Sequence, residues 1–219
     1  AWLDQNFLVN NDQQLVVKSG RTNFVNWNLS SGAMEKAVPV SSIDECINVS
    51  SDGKSFFIFP DRNFAKKLNV SGTILKEYPT DVTANMPATI GQSYDGKYIA
   101  TSGRFACDTC LSTWHESYNL YVYDAISGKK IISRPGEAAA ATFANHSNLL
   151  AIKDNFDKLP LRFIDIPTGK VVSEINLPQK SGSPSKMQFS STDRYFVIHS
   201  PAVNIIDMAS KRIITIGKD

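Results

Sequence analysis

Apolar and β-branched residues come in short runs along this chain, broken every few positions by Gly, Pro, Asn, Asp and Ser. No window sustains the i, i+3, i+4, i+7 apolar pattern of an amphipathic helix, so the runs read as strands. The clearest unit is Gln92-Ser93-Tyr94-Asp95-Gly96-Lys97-Tyr98-Ile99-Ala100-Thr101. It reads as strand, tight turn, strand. Asp95-Gly96 is a strong hairpin signal and predicts a type I′ turn with positive φ at both central positions.

The hairpin recurs, and a second turn follows a later strand in each copy. The first copy runs from Phe7-Leu8-Val9 through Leu15-Val16-Val17 and Phe24 to Leu29, turning at Ser30-Ser31-Gly32. The second has Cys46 to Val49, the turn Ser51-Asp52-Gly53-Lys54, Phe56 to Phe59, and a strand from Phe64 to Asn69 that turns at Ser71-Gly72. The third continues the opening hairpin with Leu120-Tyr121-Val122-Tyr123-Asp124 and turns at Ser127-Gly128-Lys129. The fourth has Leu149-Leu150-Ala151-Ile152, Arg162 to Ile166 and the turn Thr168-Gly169-Lys170; the fifth has Tyr195 to Ile198, Asn204 to Asp207 and Ser210-Lys211. The second-turn anchors Gly32, Gly72, Gly128, Gly169 and Lys211 are spaced by 40, 56, 41 and 42 residues. Four short strands in a period of about 40–45 residues is the spacing of a β-propeller blade.

The copies resemble WD-repeat and YVTN-type propeller blades over nearly the whole chain. The resemblance rests on Ser-Asp-Gly-Lys-like turns between the first two strands, and on an Asp followed by Ser/Thr-Gly-Lys after the third. Asp124, Asp165 and Asp207 share that Asp position, Asn28 takes it in the first copy, and Leu68-Asn69 breaks the pattern in the second. The Gly-His dipeptide of the strict family is absent, so the resemblance is to a degenerate propeller. It implies an all-β fold of five four-stranded antiparallel blades, or part of a larger propeller. The blades span about 5–40, 41–80, 84–135, 136–178 and 183–217 within one domain, 1–219. The shared Asp is expected to accept backbone N–H bonds in the turn that follows it. A blade alone is marginal, so the copies must bury their faces on one another. With a start near a first strand and an end on a fourth, the expectation is either closure by side-chain packing between the first and last blades, without the usual strand latch, or a chain that lacks blades of a longer parent.

Composition changes this picture little. The 219 residues are 42% apolar and 20% charged with a net charge of +2, too small to argue for nucleic acid or an anionic membrane. No apolar run is long enough to span a bilayer. A start at Ala1-Trp2 is expected of a processed chain or of a piece of a longer one. The Asn-x-Ser sequons at Asn28, Asn48, Asn69 and Asn145 carry no weight without a secretory context.

The long third interval is the best functional candidate. Arg104 to Glu116 is expected to form a loop between the second and third strands of blade three, on the face where propellers of this type meet ligands and partners. Cys107 and Cys110 form a C-x-x-C pair within it. A local disulfide, in an oxidising compartment, is the favoured reading; free thiols and a zinc half-site recruiting His115 are the alternatives. Leu111 stands where haem attachment needs His. Cys46 reads as a small buried hydrophobe. The expected contact residues are Arg104, Phe105, Trp114, His115 and Glu116, joined by Asp154, Phe156 and Asp157 of the matching loop in blade four. Asp154 and Asp157 otherwise read as solvated loop charges. His146 reads as an exposed residue of a hairpin turn, and His199, at a strand end, as structural.

No nucleophile elbow, zincin motif, phosphate loop or dinucleotide fingerprint occurs. The expectation is a non-enzymatic scaffold that binds a protein partner, or a small ligand or carbohydrate, through the 104–116 face. It needs no cofactor or metal, has no nucleic-acid partner and no membrane span, and leans to a periplasmic or secreted location. A five-bladed glycoside hydrolase and a lectin-like module are the rivals.

Overall fold

The computed structural model describes residues 6–9, 14–19, 23–39, 48–49, 54–58, 64–69, 71–79, 87–105, 117–135, 138, 140–154, 159–178, 186–199 and 202–217. They form twenty strands and no helix, in five four-stranded antiparallel sheets of consecutive strands. Sheet one holds β1 (Asn6–Val9), β2 (Gln14–Ser19), β3 (Asn23–Asn28) and β4 (Ala33–Pro39). Sheet two holds β5 (Asn48–Val49), β6 (Ser55–Ile58), β7 (Phe64–Asn69) and β8 (Ile74–Pro79). Sheet three holds β9 (Pro87–Gln92), β10 (Tyr98–Phe105), β11 (Ser117–Asp124) and β12 (Lys130–Arg134). Sheet four holds β13 (Ala140–Phe143), β14 (Leu149–Lys153), β15 (Leu161–Asp165) and β16 (Lys170–Ile175). Sheet five holds β17 (Lys186–Phe189), β18 (Tyr195–His199), β19 (Val203–Asp207) and β20 (Ile213–Ile216). Each sheet matches one copy of the repeat.

The chain divides into two compact units, Ala1–Asp81 with sheets one and two, and Val82–Asp219 with sheets three to five. In the first unit Phe57, Ala65, Leu68 and Tyr78 are buried. Lys66 and Glu77, directly opposite each other on β7 and β8, form a 3.1 Å ion pair on the partly exposed side.

In the second unit β13 lies beside both β9 and β17, so the first strands of three sheets are neighbours. Sheet four is buried on both faces. Leu150, Ile152 and Ile164 pack with Ala100, Leu120 and Val122 of sheet three. Ala151, Leu161 and Phe163 pack with Phe189, Phe196, Ile198 and Ile206 of sheet five. Successive residues of a strand point to opposite faces, so a two-sided strand needs an unbroken apolar run, which is what Leu149-Leu150-Ala151-Ile152 supplies. Phe163, Phe189 and Phe196 meet edge to face at 4.8 to 6.1 Å between ring centres. Each such side chain contributes about 1.5–3 kcal/mol by leaving water.

Two expectations change. The turn between β9 and β10 is not type I′. Only Gly96 has positive φ, +70°, and the backbone bonds run from Gly96 N–H to Ser93 O and from Ser93 N–H to Tyr98 O. The Asp95 carboxylate accepts from Ser93 Oγ and from Lys97 N–H, which holds Asp95 at negative φ inside a longer turn. Sheet five repeats this build: Asp193 N–H donates to Ser190 O, and Asp193 takes the left-handed position at φ +57°. In both sheets the serine hydroxyl accepts the backbone N–H that opens the second strand, Tyr98 at 3.0 Å and Tyr195 at 3.0 Å.

The second copy does not break the anchor pattern. Asn69 ends β7 as Asn28, Asp124, Asp165 and Asp207 end their strands. Its Oδ1 accepts from Ser71 N–H at 3.0 Å and Thr73 N–H at 2.9 Å. A carboxamide oxygen does the work of a carboxylate oxygen here, as Asn28 Oδ1 does in the first copy. The turn is one residue shorter in this copy, with Gly72 three residues after the anchor instead of four.

Candidate functional site

Every third-strand anchor organises its own turn. Asp124 Oδ1 accepts from Ile126 N–H at 3.2 Å, Ser127 N–H at 2.7 Å and Ser127 Oγ at 2.7 Å. Asp207 Oδ1 accepts from Ala209 and Ser210 N–H at 3.0 and 2.9 Å. The Ser210 backbone N–H, foremost among these donors, favours the carboxylate and holds Asp207 below its ordinary 3.8. Burial pushes Asp95 up. The Ser93 hydroxyl, the Lys97 backbone and side chain, and Asn148 together outweigh that and leave it lowered.

The same end of the sheets is tied across from sheet to sheet. Asp193 accepts the backbone N–H of Asn145 and of His146, each at 2.7 Å. Asn145 Nδ2 donates to Ser190 O, and His146 Nε2 lies 2.6 Å from Ser191 O, so that nitrogen carries the proton. Asn148 Nδ2 reaches Asp95 Oδ2 at 3.4 Å. The first turns of sheets three, four and five therefore adjoin at one end.

The opposite end follows from this. β10 and β14 both lead away from the tied turns, so Phe105 and Asp154 lie at the same end of adjacent sheets. Arg104 and Phe105, expected in the loop, are strand residues: they pair with Tyr118 and Ser117 in an eight-residue ladder between β10 and β11. Asp154 is buried, at 5% exposure, not solvated. It accepts from the buried Lys153 ammonium, and its Oδ2 accepts from Leu159 N–H at 3.3 Å, closing the stem of the 155–158 connection. Cys107, Cys110, Trp114, His115, Glu116, Phe156, Asp157 and Cys46 lie outside the described residues.

Sequence reasoning passed over several buried polar groups near this end. Thr101, Asn119, Lys153, Arg162 and Asn204 are all at most 8% exposed. Asn119 Nδ2 donates to the Tyr121 hydroxyl at 2.9 Å, and Asn204 Oδ1 accepts from Thr215 Oγ1 at 2.8 Å. The signal for the ion pair was present: a lysine that directly continues Leu-Leu-Ala-Ile and precedes Asp is placed in a buried strand by its neighbours. Among the described residues no three His, Cys, Asp or Glu side chains gather to hold a metal. No helix there is long and apolar enough to cross a membrane.

Among the described residues this arrangement is all-β, a repeat of four-stranded antiparallel sheets consistent with a propeller-like repeat fold. No protein-family model matches the chain, and no curated protein matches it either.

Proposed function

We propose that the five sheets are the blades of one five-bladed, degenerate WD-like propeller, and that it is a non-enzymatic scaffold for a protein partner. The contact face carries the 106–116 and 155–158 connections. Arg104, Phe105, Trp114, His115 and Glu116 meet the partner together with Phe156 and Asp157, and Asp154 sets the second stem. A Cys107–Cys110 disulfide staples the longer connection in an oxidising compartment. The observation that carries this reading is the contrast between the two ends of sheets three and four. One end is short turns, bound to each other through Asn148 and Asp95 and on to sheet five through Asp193. The other sends out two connections from adjacent sheets. Long excursions from a rigid scaffold are where binding residues concentrate.

The test is site-specific photocrosslinking in extract of the source cells. A photoreactive residue at Trp114 is expected to capture a discrete protein that one at Ile126, on the turn end, does not. Capture from Ile126 with none from Trp114 would overturn the reading.

A further inference from the structure

Sheets one to four carry the same irregularity in their fourth strands. In sheet one Asn26 pairs with Lys36 and Trp27 with Met34, so Glu35 is an extra residue in β4. Leu75 is the extra residue of β8, Ile131 of β12 and Val172 of β16. A β-bulge of this kind bends the outer strand and spoils it as a template for a further strand. Each of these strands also carries two charged residues, and β4 and β8 end on proline. Charge and proline protect an edge in the same way.

β20 departs from every part of that pattern. Its ladder with β19 runs without a shift from Ile206–Ile213 to Val203–Ile216. Ile213-Ile214-Thr215-Ile216 holds no charge and no proline, and β-branched residues favour the extended form. The strand is an edge of its sheet, and Ile214 and Ile216 are 50% and 56% exposed. Arg212 O accepts the N–H of Asp207 at 2.9 Å, so Arg212 turns its backbone toward the β19 side. Sides alternate along an antiparallel strand, so Ile214 and Ile216 bond to β19, while Ile213 and Thr215 aim N–H and C=O at the open edge.

We propose that the open edge of β20 is a pairing surface, and that its occupant is β20 of a second copy, antiparallel about a two-fold axis through Thr215. Only an extended backbone answers a row of alternating donors and acceptors. β20 answers itself. In this register Thr215 meets Thr215 of the second copy through their outward N–H and C=O groups, and Ile213 meets Gly217. Ile214 comes opposite Ile216 twice, on one face, as an apolar cross-strand pair. The uncharged strand brings no like charges into the ladder, and the two-fold closes the contact at two copies. So narrow a strip falls short of the roughly 1,200 Å² that a stable complex buries, so the dimer is weak and forms with rising concentration. The pairing uses the edge of sheet five, not its faces, and goes beyond the partner-binding reading without needing it.

Light scattering on the full chain from about 10 µM to about 1 mM, with hydrogen exchange on the same samples, tests this. The mass is expected to rise toward twice that of the monomer, and exchange of the Thr215 amide to slow by about tenfold or more over that range. Ile214→Lys, at an exposed position, should keep the chain monomeric with its circular dichroism unchanged, and Ile216→Lys should do the same. Val172→Lys, on the bulged β16, should leave association as it is. A chain that is monomeric throughout would overturn the proposal, and so would a dimer that survives both β20 lysines. Protection of Thr215 gained only on adding an unrelated extended peptide would overturn it in favour of a partner strand.

Discussion

Asp193 reaches out of its own sheet and accepts the backbone N–H of His146 at 2.7 Å. Its other oxygen takes Asn145 N–H at the same distance. The residue sits at φ +57°, a left-handed conformation that an L side chain rarely adopts. Strain is accepted at this turn because the carboxylate joins two sheets.

Asp193→Ala should therefore destabilise the protein by about 1–3 kcal/mol, the range for losing charge-assisted hydrogen bonds at a partly exposed site. Asp193→Gly loses the same bonds but relieves the backbone, so it should cost less than the alanine. Urea unfolding of both variants gives the order; an alanine no worse than the glycine would refute the strain argument.

Lys211 is the other described non-glycine residue at positive φ, +61°, at the position held by Gly32, Gly128 and Gly169 in other copies. Its ammonium lies 5.8 Å from the Phe163 ring, a weak contact. Lys211→Gly should stabilise by about 0.5–1 kcal/mol, since relief of the left-handed penalty exceeds the lost contact and the added chain entropy. A lower thermal midpoint in the variant would contradict this.

The Lys153–Asp154 pair is buried on both sides, at 2% and 5% exposure. Lys153→Ala strands a carboxylate and should cost about 3–5 kcal/mol. Lys153→Met with Asp154→Asn removes both charges, keeps the stem volume and leaves an acceptor for Leu159 N–H, so it should recover much of that loss. A double variant less stable than the single one would show that the charges themselves are needed.

Asp95 and Asp207 both titrate below the ordinary 3.8. A carboxyl lowered in the folded state stabilises above its unfolded value, and that contribution is lost as pH falls through the folded value. Stability should hold near neutrality and decline below about pH 4. Asp207→Asn should keep its turn, as Asn28 and Asn69 keep theirs, and should show a shallower acid decline. Circular dichroism against pH on both proteins measures the slopes; equal slopes would remove Asp207 from the acid transition.

Strand content and the repeat were legible because turn chemistry and side-chain alternation are local. Asp207 and Ser210 lie three positions apart, and their hydrogen bond is written in that spacing. Asn69 looked out of pattern although Asn28 was accepted at the same position; its turn is one residue shorter, with Gly72 three residues on, and only the bonds from Ser71 and Thr73 N–H show that its oxygen acts alike. The type of the Asp95-Gly96 turn was not legible, since Ser93 and Tyr98 decide it from outside the dipeptide.

Asp154 shows the limit for the candidate site. As a letter between Lys153 and Asn155 it reads as a loop charge; burial of Lys153 between packed sheets turns it into the buried partner of an ammonium. Arg104 and Phe105 likewise look like loop until the ladder with Tyr118 and Ser117 extends β10 through them.

The sequence by itself determined the number of sheets, the order of strands within each, and four of the five anchors of the third-strand turns, because all of these depend on residues near one another along the chain. Only the tertiary structure decided that Asp193 serves the neighbouring sheet, that Lys153 and Asp154 are dry, and that Phe163 meets Phe189 and Phe196. Those relationships join residues far apart in sequence, and they exist only once the sheets have excluded water from between their faces.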